Sequence, residues 1–295
     1  MQVYKKIMLA LDRSETDLSI LRYLQLLASY YKPQLIEVLF VVPTLDKFYS
    51  DFIKKNDTAF ETKKSLDDAL KGELERKVKY YFPEEKPVVS IILLEGTPIK
   101  QLIKEVGLRA VDLLVVGNKK VSEGSGITGK AVSRRFKGSV LFIPEKQHTQ
   151  MHRMVVPIDF SENAARALKE ALAIYDQQIG ASVIALNILD LYPLIHYQAS
   201  RLASKFTEYA KEDVSEAWNG FCEKYQIPKD KVKLEQRDRV DGNIAKGIQQ
   251  FSEEAQADLI LMGSHGHSIL ELTLWGSNTE KLLAIEKTIP ILIIR

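Results

Sequence analysis

Arg153-Met154-Val155-Val156-Pro157-Ile158-Asp159-Phe160-Ser161-Glu162 carries an apolar run into Asp-x-Ser-Glu, and Lys6-Ile7-Met8-Leu9-Ala10-Leu11-Asp12-Arg13-Ser14-Glu15 does the same near the start of the chain. In both places a strand ends at an aspartate and a helical stretch follows. The echo continues downstream. Residues 35–41 are matched by 182–188 as a second β-run, Glu95-Gly96-Thr97-Pro98-Ile99 by Asp241-Gly242-Asn243-Ile244-Ala245, and residues 112–117 by 258–263. Each copy closes on a short apolar strand, 140–143 and 291–294. Strands alternating with helices indicate a parallel sheet covered on both faces. Unbroken Val/Ile/Leu runs are what such doubly buried strands require. Periodic stretches at 56–81 and 198–225 predict long helices between the second and third strands. The fold class is therefore α/β: two tandem open parallel five-stranded sheets, Rossmann-like, with helices on both faces.

The polar, aperiodic segment 145–152 predicts a linker between domains 1–144 and 153–295. With 295 residues, each domain has room for its own core. Hydrophobic residues make up 45% of the chain and charged residues 27%, a globular composition. A net charge of +2 points to neither nucleic acid nor an anionic membrane surface. No apolar run approaches the roughly 20 residues of a membrane helix. The chain enters a strand at Ile7 without a charged-then-apolar leader, and its single cysteine, Cys222, suits a reducing compartment. Together these predict a cytoplasmic protein.

The stretch that speaks to function is Met262-Gly263-Ser264-His265-Gly266-His267, continuing through a longer loop to Gly276-Ser277-Asn278-Thr279-Glu280. It follows an apolar strand and leads into a helix. A glycine-punctuated turn lets backbone N–H groups approach a phosphate, and the helix start adds unpaired donors. Gly263, Gly266, Gly276 and Ser277 fit G-x2-G-x9-G-S. The same letters admit a plainer reading, in which the glycines make a turn and Ser277 and Glu280 form a capping box.

At all four motif positions the loop resembles the nucleotide signature of the ATP-binding branch of the universal stress protein family. The duplicated layout resembles that family's tandem members, which share the adenine nucleotide alpha hydrolase-like fold, over essentially the whole chain. The resemblance implies a strand order 3-2-1-4-5 and ATP in the second copy, in the crevice where that order reverses. Carried over position by position, the adenine and ribose contacts fall on Pro157, Ile158, Asp159 and Ile188. The phosphate contacts fall on Gly263, His265, Gly266, Gly276, Ser277 and Asn278, with Thr279 adding a hydroxyl, and Met262 counts among the nucleotide-binding residues. Asp159 is equally readable as a helix N-cap, as is Ser161.

His265 and His267 form His-x-His, and His148 and His152 stand four apart, but no further cluster completes a transition-metal site. Mg²⁺ is expected only as the companion of a triphosphate. The first copy departs from the motif: Lys120 replaces the second glycine, the spacing to Gly129 is one residue short, and Lys130 replaces the serine. Residues 124–131 read G-x4-G-K-A, close to a P-loop, yet Ala131 stands where a hydroxyl should bind Mg²⁺ and the strand is seven residues away. A looser basic anion site at Lys119, Lys120 and Lys130 is the remaining functional reading there, against a solvated loop.

One ATP per chain and a sensing or regulatory role in stress response are what the resemblance implies. A slow ATPase or nucleotide hydrolase, or a nucleotide-free scaffold, are the alternatives, and no residue is assigned as catalytic. Single-domain members dimerise through their terminal strand. Two fused copies should pair those strands within the chain, as an intrachain pseudo-dimer capable of further self-association.

Overall fold

The computed structural model describes residues 4–42, 44, 63–83, 87–119, 131, 135–145, 150–189, 200–264 and 275–295. They form two compact units, Val3–Gly138 and Ser139–Arg295. In the first, β1 (Lys6–Leu11), α1 (Thr16–Tyr31), β2 (Leu35–Val42), α2 (Lys63–Tyr81), β3 (Val88–Glu95), α3 (Pro98–Leu108) and β4 (Leu113–Gly117) alternate along the chain. Its strands lie in the order β3-β2-β1-β4, all parallel.

The second unit starts with β5 (Ser139–Ile143) and continues through β6 (Arg153–Pro157), α4 (Glu162–Tyr175), β7 (Ser182–Leu189) and α5 (Ser200–Tyr225). It ends with β8 (Val232–Asp238), α6 (Ile244–Glu254), β9 (Leu259–Gly263), α7 (Ser277–Ile285) and β10 (Ile291–Ile294). Its order is β5-β10-β9-β6-β7-β8. The run β8-β7-β6-β9-β10 is parallel throughout and realises 3-2-1-4-5. The expected helices 56–81 and 198–225 are present as α2 and α5, while residues 56–62 and 198–199 lie outside the described residues.

The strands form here because their side chains bury on both faces. Met154, Val155 and Val156 on β6 and Leu259, Ile260 and Leu261 on β9 have no exposed surface. Helix α4 covers them with Ala164, Ala165, Ala167, Leu168, Ala171, Leu172 and Ile174, a stripe at helical spacing. Its start is set by Ser161, whose hydroxyl accepts from the Ala164 N–H at 3.2 Å.

One device fixes the register of the first and fourth strands in both copies. Asp112 accepts from the Lys6 N–H at 2.8 Å, and Asp258 from the Arg153 N–H at 2.9 Å. Each aspartate returns its own N–H to the carbonyl of that same strand residue. The duplication read from sequence thus extends to individual hydrogen bonds.

The two short apolar strands that close the copies meet edge to edge. β5 and β10 pair antiparallel, with Ile291 opposite Phe142, Leu292 opposite Leu141 and Ile293 opposite Val140. Val140, Leu141, Phe142, Ile291, Leu292 and Ile293 are all fully buried. The last strand of the first copy is therefore packed into the second unit. Among the described residues, no helix is long and apolar enough to cross a membrane.

Candidate functional site

In the second unit the chain leaves β6 toward β7 on one side and reaches β9 on the other, so the loops beyond Pro157 and Gly263 diverge and leave a crevice. A cavity of about 250 Å³ opens there. Pro157, Ile158, Asp159, Ile188, Met262, Gly263, Gly276, Ser277, Asn278 and Thr279 all line it. Four segments distant in sequence are thus brought to one place. His265 and Gly266, like His267, lie outside the described residues.

The sequence reading missed part of the wall. Leu186 and Asn187 from β7, Ser161 and Ala164 from the start of α4, and Ile244 and Ile248 from α6 also line the cavity. Ile158, Leu186, Ile188, Ile244 and Ile248 make its apolar part. Asn187 sets the geometry of Ile158: its side-chain amide donates to the Ile158 carbonyl at 3.1 Å, while the Ile158 N–H donates to the Leu186 carbonyl at 2.8 Å. The two peptides flanking Ile158 are thus held beside the apolar slot.

Asp159 is not the helix cap. Ser161 holds that position, and Asp159 accepts from the Ser161 N–H at 3.1 Å in the preceding turn. Its carboxylate stands exposed at the cavity wall. The turn is sharp because Phe160 adopts a left-handed backbone, φ 63°, unusual for a bulky residue. Edge-to-face packing of Phe160 on Phe221 of α5, 5.7 Å between ring centres, holds it there. Arg13 takes the same conformation, φ 62°, at the corresponding place in the first unit.

Ser277 is not a cap either. Helix α7 begins at Ser277, and its N-cap is Gly276, which has no side chain to offer the first-turn N–H groups. The capping-box reading of Ser277 is therefore incorrect. Gly276 is fixed by its own N–H, which donates to the Ser264 carbonyl at 2.8 Å, while the Ser264 N–H reaches Ile294 at 3.0 Å. Ser264 and Gly276 are thus tied together, and the helix start, with no side-chain cap, faces the cavity.

Gly263 has a packing reason to be glycine. A Cβ there would lie 2.7 Å from the carbonyl carbon and Cβ of Asn163 and 2.8 Å from its carbonyl oxygen. Helix α4 backs directly onto this point of β9. The counterpart Gly117 backs onto Thr16 of α1, whose methyl would stand 3.1 Å away. The first glycine of the motif thus serves helix–strand packing in both copies, which explains why it survives where the rest of the motif is lost.

The first unit treats its own crevice differently. The Lys119 ammonium lies 3.0 and 2.9 Å from the two carboxylate oxygens of Asp12 and also donates to the Ser14 hydroxyl. The charge that suggested an anion site is engaged within the chain. Lys120, residues 124–130 and Lys130 of that reading lie outside the described residues. Asp17 replaces the counterpart of Ala164, is 1% exposed, and accepts from the N–H groups of Asp12 and Arg13 at 3.1 and 2.8 Å.

Burial is the largest influence on Asp17 and, with repulsion from Asp12, pushes its carboxyl from 3.8 up to about 6, against the two N–H donors that lower it. The folded chain therefore holds this proton more tightly than the unfolded chain. Asp17 should add stability as pH falls through about 6, with the gain complete below about 4. Denaturant unfolding at pH 7.5 and 4.5 should show wild type gaining on Asp17→Asn by no more than about 3 kcal/mol. A wild-type-minus-variant difference that stays flat across this window refutes the assignment.

Among the described residues, no three His, Cys, Asp or Glu side chains gather closely enough to hold a metal ion. Cys222 is buried on α5, and burial pushes its thiol pKa up, away from reactivity.

These features define the class: tandem doubly wound α/β units, one with a crevice of about 250 Å³ at its switch point. The sequence profile of the universal stress protein family matches residues 3–144 and again residues 151–295, and the chain belongs to that family. A universal stress protein of Methanocaldococcus jannaschii is 29% identical over 143 residues, covering 48% of this chain and 81% of the relative. In solved structures, a universal stress protein from Archaeoglobus fulgidus superposes with a TM-score of 0.62 at 19% identity, covering 99% of this chain and 98% of the other. A functionally unknown protein from Pseudomonas aeruginosa gives 0.60 at 13% identity, covering 99% and 93%. At such identities the structural likeness speaks to the fold.

Proposed function

We propose that this chain is an ATP-binding universal stress protein that carries one nucleotide, in the crevice of the second domain, and acts in sensing or regulation. The observation that carries this reading is the convergence of Pro157–Asp159, Ile188, Met262–Gly263 and Gly276–Thr279 on one cavity. The apolar slot of Ile158, Leu186, Ile188, Ile244 and Ile248 suits a purine face, with the Ile188 backbone near the end of β7 available to read its edge. Asp159 is placed for ribose hydroxyls. The uncapped start of α7 suits phosphate oxygens, and Mg²⁺ would travel on the nucleotide's own oxygens.

Hydrolysis needs a positioned base and charge neutralisation at the γ-phosphate. The described wall supplies neither an arginine nor a lysine, so binding without fast turnover is the better-supported role. With domains 1–144 and 153–295 joined by a short linker, the β5–β10 pair favours an intrachain pseudo-dimer over a free terminal edge.

Mass spectrometry of nucleotide released from protein purified without additions tests the reading. ATP is expected; ADP or AMP would favour hydrolysis, and an empty site would favour a scaffold. Calorimetric titration should give one site per chain, and two equivalent sites would refute this. Because Ser277 is not a cap, Ser277→Ala should change the unliganded melt by less than about 0.5 kcal/mol. Loss of a phosphate hydrogen bond should nonetheless weaken ATP binding about 10-fold. A lowered apo melt with unchanged affinity would reverse that assignment.

A further inference from the structure

The crevice of the first unit is not merely a site with its motif worn away. Lys119 stands two residues beyond the end of β4, as His265 does beyond β9. Its side chain is only 7% exposed. Asp12 and Ser14, which hold its ammonium, are the counterparts of Asp159 and Ser161, two residues of the second crevice wall. A protonated lysine has three N–H donors. Two carboxylate oxygens and one hydroxyl oxygen meet them, a full set of acceptors for one primary ammonium.

The surroundings fit the same charge. Asp17 adds a second carboxylate where the second unit has Ala164, and its grip on the Asp12 and Arg13 N–H groups fixes the turn that presents Asp12. Ser14 N–H donates to Asp12 at 3.1 Å and holds that carboxylate from the other side. Asn187, which pins the peptide beside the apolar slot, is replaced by buried Phe40. Two changes from the second crevice to the first point the same way: the Asp17 carboxylate stands for Ala164, and the Lys119 ammonium itself takes the position of His265.

We propose that the first crevice is a primary-ammonium site which the chain fills with its own Lys119, and that this tethered ligand keeps phosphate out. A phosphate arriving there meets an ammonium already neutralised by Asp12, with the Asp17 carboxylate close behind. The proposal does not rest on the nucleotide assignment of the second domain. It stands or falls on the first crevice alone.

Lys119→Ala in the full chain removes the ligand from Cγ outward, and n-propylammonium has the size and charge of what is missing. The variant should melt roughly 5 °C lower than wild type. Propylammonium should restore most of that loss with saturable dependence, leaving wild type unmoved. Tetramethylammonium, with the same charge and no N–H donor, should restore nothing. Equal response of wild type and variant to propylammonium, or equal rescue by both cations, overturns the proposal.

Should Lys119→Ala not fold, the unaltered chain still decides the matter. With lysine Nζ labelled for nuclear magnetic resonance, one ammonium should exchange its hydrogens slowly enough to be seen at neutral pH, and Lys119→Met should delete that signal. Absence of a slowly exchanging ammonium in wild type would sink the idea.

Discussion

A chain lacking Ile291–Arg295 is expected to yield no soluble monomer. β10 is hydrogen-bonded on both sides, to β9 in parallel and to β5 in antiparallel register. Its four apolar side chains are 0–2% exposed. At about 1.5–3 kcal/mol for each fully buried aliphatic side chain, their removal costs roughly 6–12 kcal/mol. A domain's whole stability is about 5–15 kcal/mol. The truncation also leaves β5 and β9 with open edges lined by fully buried apolar residues, which invite pairing between chains. Solubility on expression and light scattering of whatever remains soluble are the measurements. A monodisperse truncated chain of unchanged melting temperature would show that β10 does not hold the sheet together.

Ala164→Asp should abolish nucleotide binding while leaving the fold intact. The substitution imports Asp17 of the first unit into the second. The turns leading to the two positions match, with Arg13 and Phe160 sharing φ values of 62° and 63°, although α1 starts one residue later than α4 and without a side-chain cap. The new carboxylate should therefore find the Asp159 and Phe160 N–H groups, as Asp17 finds those of Asp12 and Arg13. Ala164 lines the cavity and is 3% exposed. A carboxylate within about 5 Å of a phosphate, at an effective dielectric of about 20, opposes it by about 3 kcal/mol, on the order of a 100-fold loss. The lost volume adds to this. Calorimetry reads the affinity and circular dichroism the fold. Undiminished ATP binding in a folded variant would remove the phosphate from this part of the crevice.

The strands and their duplication were legible because unbroken β-branched runs leave few alternatives, and because Asp-x-Ser-Glu and the aspartate before the fourth strand recur at matching places. The crevice was legible wherever its residues sit at strand ends or in the glycine loop. Asn187, Ile244 and Ile248 were not, since nothing local marks them and only the topology brings β7 and α6 to that wall. Ser277 misled for a local reason. Ser-Asn-Thr-Glu spells a capping box, but the Gly276–Ser264 hydrogen bond starts the helix one residue earlier than those letters suggest. Lys119 read as a free basic residue because its partner Asp12 lies 107 residues away. Asp159 is ambiguous in sequence because Ser161, two residues on, is an equally good cap, and the structure gives the cap to Ser161.

The position of β5 has a consequence in time. The ribosome delivers this strand as the close of the first copy, yet the strand it pairs with comes much later: Arg295 N–H, just past β10, donates to Ser139 across 156 residues of chain. At about 5–20 residues per second, β5 waits on the order of ten to thirty seconds for its partner to be synthesised. Until then a nascent chain that has otherwise folded its first copy carries a bare apolar edge. That open edge is the kind of surface chaperones bind, and it stays open until β10 has been made.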